Sequence, residues 1–122
     1  MSETIDLPEL RSRLGDDDVT LLDVRTDVEY EGADGYPCDP RQGHIPGSMH
    51  VDVAELMEAS PDRIRELVGL PPGTEIVAYC HSGARSGMAA MALRAAGYNA
   101  RNYVGSWHEW SRHDELPAET GL

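Results

Sequence analysis

The chain has 122 residues, of which 22 are acidic and ten are basic, so its formal net charge is -12. This length and an apolar content of 40% predict one folded domain over residues 1–122. So acidic a surface argues against nucleic acid and anionic membranes as partners, because both repel negative charge.

The chain begins with three predicted elements. Asp6 is typical of a helix N-cap, and Gly15 ends the helix that follows it. Residues 19–24 are apolar on both faces, as expected of a central parallel strand. A short helix over residues 27–31 comes next, and we expect Asp27 to cap it.

A long loop and two helices are predicted in the middle of the chain. Residues 32–43 are rich in glycine, proline and aspartate, which indicates a surface loop. Residues 44–52 lead through a further loop into a second strand. One helix then begins at Asp52, and a second begins at Ser60, which we expect to cap it ahead of a proline at the first helical position.

The last part of the chain alternates strands and helices. The apolar residues 76–79 predict a buried strand, and the alanine-rich residues 88–96 predict a helix. Residues 100–104 form the last predicted strand, and residues 105–110 open a short helix. We expect the polar tail, residues 114–122, to be loose.

The order of these elements predicts an α/β fold. Strands that alternate with helices form a central, mainly parallel sheet, and we expect about five strands with helices on both faces. In such folds ligands bind at the carboxyl ends of the strands. Cys80 directly follows the buried strand, so it is expected at this edge of the sheet.

The stretch from Cys80 onward is the strongest candidate for a catalytic site. It joins the strand to a helix N-terminus, where unpaired backbone N–H groups and the helix dipole stabilise a thiolate. Cys80 is therefore the expected nucleophile, and an inert buried cysteine is the alternative. We expect the six residues after Cys80 to bind an anionic substrate: His81, Ser82, Gly83, Ala84, Arg85 and Ser86. Among them, Arg85 carries a guanidinium suited to oxyanions.

Four segments, in their order and spacing, resemble a single rhodanese-like domain: residues 21–25 (LLDVR), 43–48 (GHIPGS), 77–80 (VAYC) with its loop, and 105–110 (GSWHEW). The resemblance covers residues 19–110. It implies a thiosulfate sulfurtransferase that needs no cofactor. Cys80 would take a sulfane sulfur from a small anionic donor as a persulfide and pass it to cyanide or a thiol, including a protein thiol.

Four further residues are candidates for the rim of the site: Arg25, His44, Trp107 and Cys38. By the same resemblance, we expect Arg25 and His44 mainly to brace loops, and Trp107 to form a wall of the pocket. Cys38 lies in residues 32–43, which are longer than the corresponding segment of the family. Two interpretations of Cys38 stay open, a second thiol that meets Cys80 or receives its sulfur, and a cysteine without a role.

Two other functions stay open. A phosphatase or arsenate reductase on this scaffold would need five residues between cysteine and arginine, whereas only four separate Cys80 from Arg85. A non-catalytic binding module is the second alternative, although such modules of the family commonly lack the cysteine.

Metal sites, membranes and oxidising compartments are not predicted. The histidines and carboxylates lack the spacing of a structural zinc site, so we expect no metal. No apolar run approaches the roughly 20 residues that cross a bilayer, and residues 1–6 lack the features of a signal peptide. Because two cysteines are too few for a disulfide framework, we expect a reducing cytoplasm.

Overall fold

The structure is a computed structural model that describes residues 3–121. Within these residues it has five strands: β1 (Thr4–Ile5), β2 (Val19–Asp23), β3 (Met49–His50), β4 (Glu75–Tyr79) and β5 (Asn99–Tyr103). They pair in parallel in the order β1-β5-β4-β2-β3. The helices are α1 (Leu7–Arg13), α2 (Asp27–Glu31), α3 (Val53–Glu58), α4 (Pro61–Val68), α5 (Ala84–Ala95) and α6 (Ser106–Trp110).

Helices cover both faces of the sheet, which confirms the predicted α/β fold. Along β4, Ile76 and Ala78 belong to the core beneath α3, α4 and α5, and Cys80 continues this face. Val77 and Tyr79 point the other way, into the core that α1 and α6 complete. All five residues of β4 are buried because strands flank it on both sides and helices pack on both faces.

Side-chain caps begin most of these helices. Asp6, Asp52 and Ser60 each accept a hydrogen bond from a backbone N–H of the first turn, and the caps at Asp6 and Ser60 are as predicted. The predicted cap of α2 is wrong, because Thr26 rather than Asp27 occupies that position. Thr26 forms a capping box with Glu29: each side chain accepts a hydrogen bond from the backbone N–H of the other residue.

Two elements differ from the prediction. The two-residue strand β1 pairs with β5, and it is too short to leave a periodic pattern in the sequence. Helix α5 begins at Ala84, earlier than the predicted 88–96, because its first turn includes a glycine that weakens the helical signal.

The carboxyl-terminal tail is not loose over its described residues. Glu119 and His44 exchange two backbone hydrogen bonds of 2.8 and 3.0 Å. Leu116 is buried in the core, and the indole N–H of Trp110 donates to the carbonyl of Pro117. Leu122 lies outside the described residues, as do Met1 and Ser2 at the start of the predicted domain.

The helices are short. α5 has 12 residues, and from residue 3 to residue 121 no helix combines the length and the hydropathy needed to cross a membrane.

Candidate active site

Cys80 lies at the carboxyl end of the central strand. Its backbone N–H donates to the hydroxyl of Ser106 at 3.1 Å, and its carbonyl accepts from the N–H of Trp107 at 2.9 Å. The carbonyl of His81 likewise accepts from the N–H of His108. The first turn of α6 therefore holds the backbone on which the thiol is mounted.

Ser106 reaches this position with an unusual backbone. Its φ of +53° lies in the left-handed region, which costs an L-residue about 1 kcal/mol or more. Its hydroxyl also donates to the carbonyl of Tyr103 at 2.7 Å. These two hydrogen bonds hold the strained conformation next to Cys80, and sequence reasoning missed this residue.

The active loop, residues 81–86, curls around the sulfur. The N–H of Gly83 donates to the Sγ of Cys80 at 3.1 Å, and the hydroxyl of Ser86 lies 3.3 Å from the same atom. The backbone N–H groups of Ser82 and Ser86 also lie near the sulfur and contribute to lowering the pKa of Cys80. Gly83 has a φ of +97°, and a Cβ there would lie 2.7 Å from the carbonyl oxygen of Val104. Only glycine fits this turn without a shift of backbone.

These donors favour the thiolate. Burial alone would raise the pKa of Cys80, but the hydrogen bonds from the Ser86 hydroxyl and the loop N–H groups outweigh it and lower the pKa. Ser86 has one hydroxyl proton, and the Oδ1 of Asn102 competes for it at 2.6 Å. Asn102 is oriented by its own amide, which donates to the carbonyl of Gly83.

Arg85 does not face the site as a lone cation. Its guanidinium forms two parallel hydrogen bonds of 2.8 and 3.0 Å with the carboxylate of Glu29. Burial would raise the pKa of Glu29, but the hydrogen bonds from Arg85 and from Thr26 lower it to about 2. The same contact raises the pKa of Arg85. An incoming anion must therefore share Arg85 with Glu29 or displace it.

Sequence reasoning missed Glu29 as part of the site. The available signal was the capping box, since a glutamate three residues after Thr26 is expected to turn back toward the N-terminus of α2. Its second partner, Arg85, is 56 residues away in sequence.

Arg25 is a brace within the core. It is 1% exposed, forms a two-pronged ion pair with Asp23, and donates to the carbonyl of Gly43 at 2.5 Å. Its guanidinium lies 5.2 Å from the ring of Trp107. These contacts join the end of β2 to the inserted loop, which we define as residues 32–43.

His44 and Trp107 also contact the inserted loop or its flanks. The His44 ring stacks on Tyr30 at 3.8 Å, and its Nδ1 lies 2.7 Å from the Tyr30 carbonyl. Trp107 is fully buried, and its indole N–H donates to the carbonyl of Arg41. Its ring thus packs in the core and does not line an open pocket.

The inserted loop is fastened to the body of the domain by Arg41. Its guanidinium donates to four backbone carbonyls on α6 and the segment after it, those of Trp110, Ser111, His113 and Leu116. At its middle, Tyr36 stacks on His81 with ring centroids 3.6 Å apart. The loop therefore packs against the active loop. Cys38 is exposed and, like Cys80, a free thiol.

Comparison with known proteins identifies the family of this chain. The family model described as "Rhodanese-like domain" matches residues 6–113. This chain belongs to the rhodanese-like family. A thiosulfate sulfurtransferase of Azotobacter vinelandii is 35% identical over 119 residues, covering 90% of this chain and 43% of that protein. This rhodanese-like chain thus spans less than half the length of that relative.

Two further relatives are similar to this rhodanese-like chain. The human thiosulfate:glutathione sulfurtransferase is 34% identical over 115 residues, which cover 88% of this chain and 91% of the human protein. A crystal structure of a probable thiosulfate sulfurtransferase superposes with a TM-score of 0.82 at 43% identity, covering 96% of this chain and 47% of that one. The chain thus has close relatives named as sulfurtransferases.

Proposed function

We propose that this chain is a sulfurtransferase that moves a sulfane sulfur from thiosulfate, or a similar small anion, to a thiol or cyanide acceptor. The observation that carries the proposal is the set of donors around Cys80. Three backbone N–H groups and one hydroxyl converge on a single sulfur atom. Such an arrangement stabilises a thiolate and, equally, the negative terminal sulfur of a persulfide.

The first half-reaction requires no added oxidant or reductant. The Cys80 thiolate attacks the outer sulfur of thiosulfate, a new S–S bond forms, and sulfite leaves with the electron pair of the old S–S bond. The terminal sulfur of the persulfide keeps one negative charge. No proton is transferred, since sulfite is a stable anion.

The second half-reaction restores the enzyme. An acceptor thiolate attacks the terminal sulfur and leaves as a persulfide, while Cys80 regains its electron pair as a thiolate. The human relative is named for glutathione as acceptor. We therefore include low-molecular-weight thiols beside protein thiols as acceptors, and we propose a reducing cytoplasm as the setting.

Arg85 is proposed to bind the oxyanion end of the donor. Its guanidinium is half-buried and close enough to Cys80 for the two charges to interact. Because Glu29 holds two of its donors, we expect the bound anion to use the remaining donors or to loosen this pair. Since Cys80 itself is 1% exposed, entry of the donor requires the active loop or the inserted loop to move.

The test is mass spectrometry of the intact protein after thiosulfate treatment. We expect one added sulfur, mapped to the peptide containing Cys80, together with one equivalent of sulfite. Cys38→Ser should gain the same mass and Cys80→Ser should gain none. Loss of the added sulfur in Cys38→Ser, or its presence in Cys80→Ser, would contradict the mechanism.

A parallel assay separates the alternative chemistry. We expect no cleavage of an aryl phosphate by the wild-type chain, because the six-residue loop surrounds one sulfur more closely than a phosphoryl group. Cleavage that depends on Cys80 would instead indicate a phosphatase.

A further inference from the structure

Four side chains with metal-binding atoms meet beside the active loop. They come from three segments: Cys38 and Asp39 from the inserted loop, His81 from the active loop, and His108 from α6. One atom of each, sulfur, carboxylate oxygen or imidazole nitrogen, lies within 4.8 Å of all the others. No single segment carries more than two of them, so their meeting depends on the tertiary structure.

The distances are close to those of a tetrahedral site. Asp39 Oδ2 lies 3.0 Å from His81 Nε2, Asp39 Oδ1 lies 3.3 Å from His108 Nδ1, and Cys38 Sγ lies 3.8 Å from Asp39 Oδ1. Bond lengths of 2.0–2.3 Å around a tetrahedral zinc ion place neighbouring ligand atoms roughly 3.3–3.5 Å apart. Two of these distances run to Oδ1, and the four ligand atoms lie within 4.8 Å of one another, so the side chains must rotate to bring all four around one ion.

Asp39 supplies an independent indication of a ligand-binding position. Its side chain is 1% exposed, yet its Oδ2 accepts no hydrogen bond from any residue between positions 3 and 121. His81 Nε2 lies 3.0 Å from Oδ2 but makes its hydrogen bond with the other oxygen, Oδ1, at 3.2 Å. A buried carboxylate oxygen without a partner is costly, and a cation bound to Oδ2 would satisfy it.

The surrounding contacts hold most of these side chains in place. Arg112 donates to Asp39 Oδ1 at 3.1 Å, which orients the carboxylate and leaves Oδ2 for a ligand. Stacking on Tyr36 fixes the ring of His81, and a backbone hydrogen bond joins His81 to His108. Such outer contacts orient ligands in metal sites. Because Cys38 is exposed, an ion can reach the four side chains from solvent.

We propose that Cys38, Asp39, His81 and His108 bind one zinc ion. A thiolate, a carboxylate and two imidazoles form a four-coordinate set suited to this borderline-soft cation. The thiolate and the carboxylate offset its charge, while Arg112 remains on the far oxygen of Asp39. The proposed zinc ligands do not include Cys80, although the ion would tie the inserted loop to His81, the neighbour of the proposed nucleophile.

The test uses untagged protein in the Cys80→Ser background, so that the proposed catalytic thiol cannot bind the metal. Zinc titrated against a chromophoric chelator should bind at one equivalent per chain. Cys38→Ser and His108→Ala should each weaken binding by at least about 100-fold, since loss of a mere outer contact already costs 10–100-fold. His113→Ala is the matched control, because His113 pairs with Glu115 outside the cluster, and it should bind as tightly as its parent.

Cobalt substitution reports on the ligands directly. Co²⁺ should give the intense visible bands of a tetrahedral ion and a thiolate charge-transfer band that disappears in Cys38→Ser. Circular dichroism of each variant should match the parent, since Cys38 and His108 are both at the surface. A six-coordinate cobalt spectrum, equal affinity in Cys38→Ser and His113→Ala, or binding that requires Cys80 would overturn the proposal.

Discussion

Cys80 and Cys38 are the two cysteines of the chain, and different parts of the protein surround their sulfur atoms. Around Cys80 the donors are mainly backbone N–H groups, brought together by the sharp turn at Gly83 and the start of α5. Around Cys38 the neighbours are side chains of Asp39, His81 and His108, which can supply lone pairs to a cation.

The difference follows from what each environment can stabilise. Donor groups lower the energy of negative charge on sulfur, so the region of Cys80 favours a thiolate or persulfide. Acceptor groups around the sulfur of Cys38 raise the energy of negative charge there unless a cation binds among them. The region of Cys38 therefore favours metal binding. His81 belongs to both regions, since it follows Cys80 and contacts Asp39.

The largest expected effect tests whether only one cysteine is the nucleophile. Cys80→Ser should lower kcat/KM for thiosulfate by at least about a thousandfold, because no other group replaces the thiolate. Cys38→Ser, assayed without added zinc, should stay within about twofold of wild type. A large loss in Cys38→Ser with full activity in Cys80→Ser would reverse the roles of the two regions.

Arg85→Ala should lower kcat/KM for thiosulfate by about 100-fold, since a charged donor to the oxyanion is lost. Arg85→Lys should recover part of this loss, because charge returns without the planar fork. Arg63→Ala, at an exposed ion pair on α4, is the control.

Removal of Arg85 also leaves Glu29 unpaired near the site. The double variant Arg85→Ala/Glu29→Gln separates the loss of attraction from this new repulsion. Unchanged kcat/KM in both the single and double variants would exclude Arg85 from anion binding.

The pair between Glu29 and Arg85 predicts a specific loss of stability in acid. The pKa of Glu29 is about 2 in the folded chain and near 4.5 in the unfolded chain, so protons bind the unfolded state first as pH falls. Its contribution is complete above pH 4.5 and is lost progressively down to about pH 2. Allowing for solvent screening, we expect it to be about 2 kcal/mol.

Denaturant unfolding at several pH values measures this contribution. The difference in unfolding free energy between wild type and Glu29→Gln should shrink by that amount between pH 5 and pH 2. Glu58→Gln, at an exposed position of α3, should instead follow wild type. A constant difference between wild type and Glu29→Gln would show that the pair does not shift this carboxylate.

The smallest expected effect concerns the hydroxyl of Ser86. Ser86→Ala removes the side-chain donor to Sγ, which raises the pKa of Cys80 and slows alkylation at pH 7 by about tenfold. Ser82→Ala is the matched control, because Ser82 donates to the sulfur through its backbone N–H. Identical pH profiles of alkylation for the two variants would contradict a role for the hydroxyl.

Much of the fold could be predicted because its signals are local. Asp6, Asp52 and Ser60 cap helices within a few residues of themselves, and the apolar run before Cys80 identifies the central strand. The strand β1 and the ordered tail could not be predicted in this way. Both are stabilised by partners far along the chain, as Glu119 is by His44.

In the candidate site, too, the features with local signals could be predicted and those with distant partners could not. The sequence identifies the active loop, because a strand, a cysteine, a glycine and a helix are consecutive there. It does not identify the pairing of Arg85 with Glu29, or the attachment of the inserted loop through Arg41. These contacts join residues more than 50 positions apart, and no local pattern encodes them.

By itself the sequence determined the central strands, the position of Cys80 and the residues of its loop, since backbone geometry depends mainly on neighbouring residues. Only the tertiary structure decided which side chains face one another across the mouth of the site. It brought Glu29 to Arg85, Tyr36 to His81, and a zinc-binding set of side chains to Cys38. The physical reason is that charge pairing, ring stacking and metal coordination depend on distances in space, which packing of the whole chain sets.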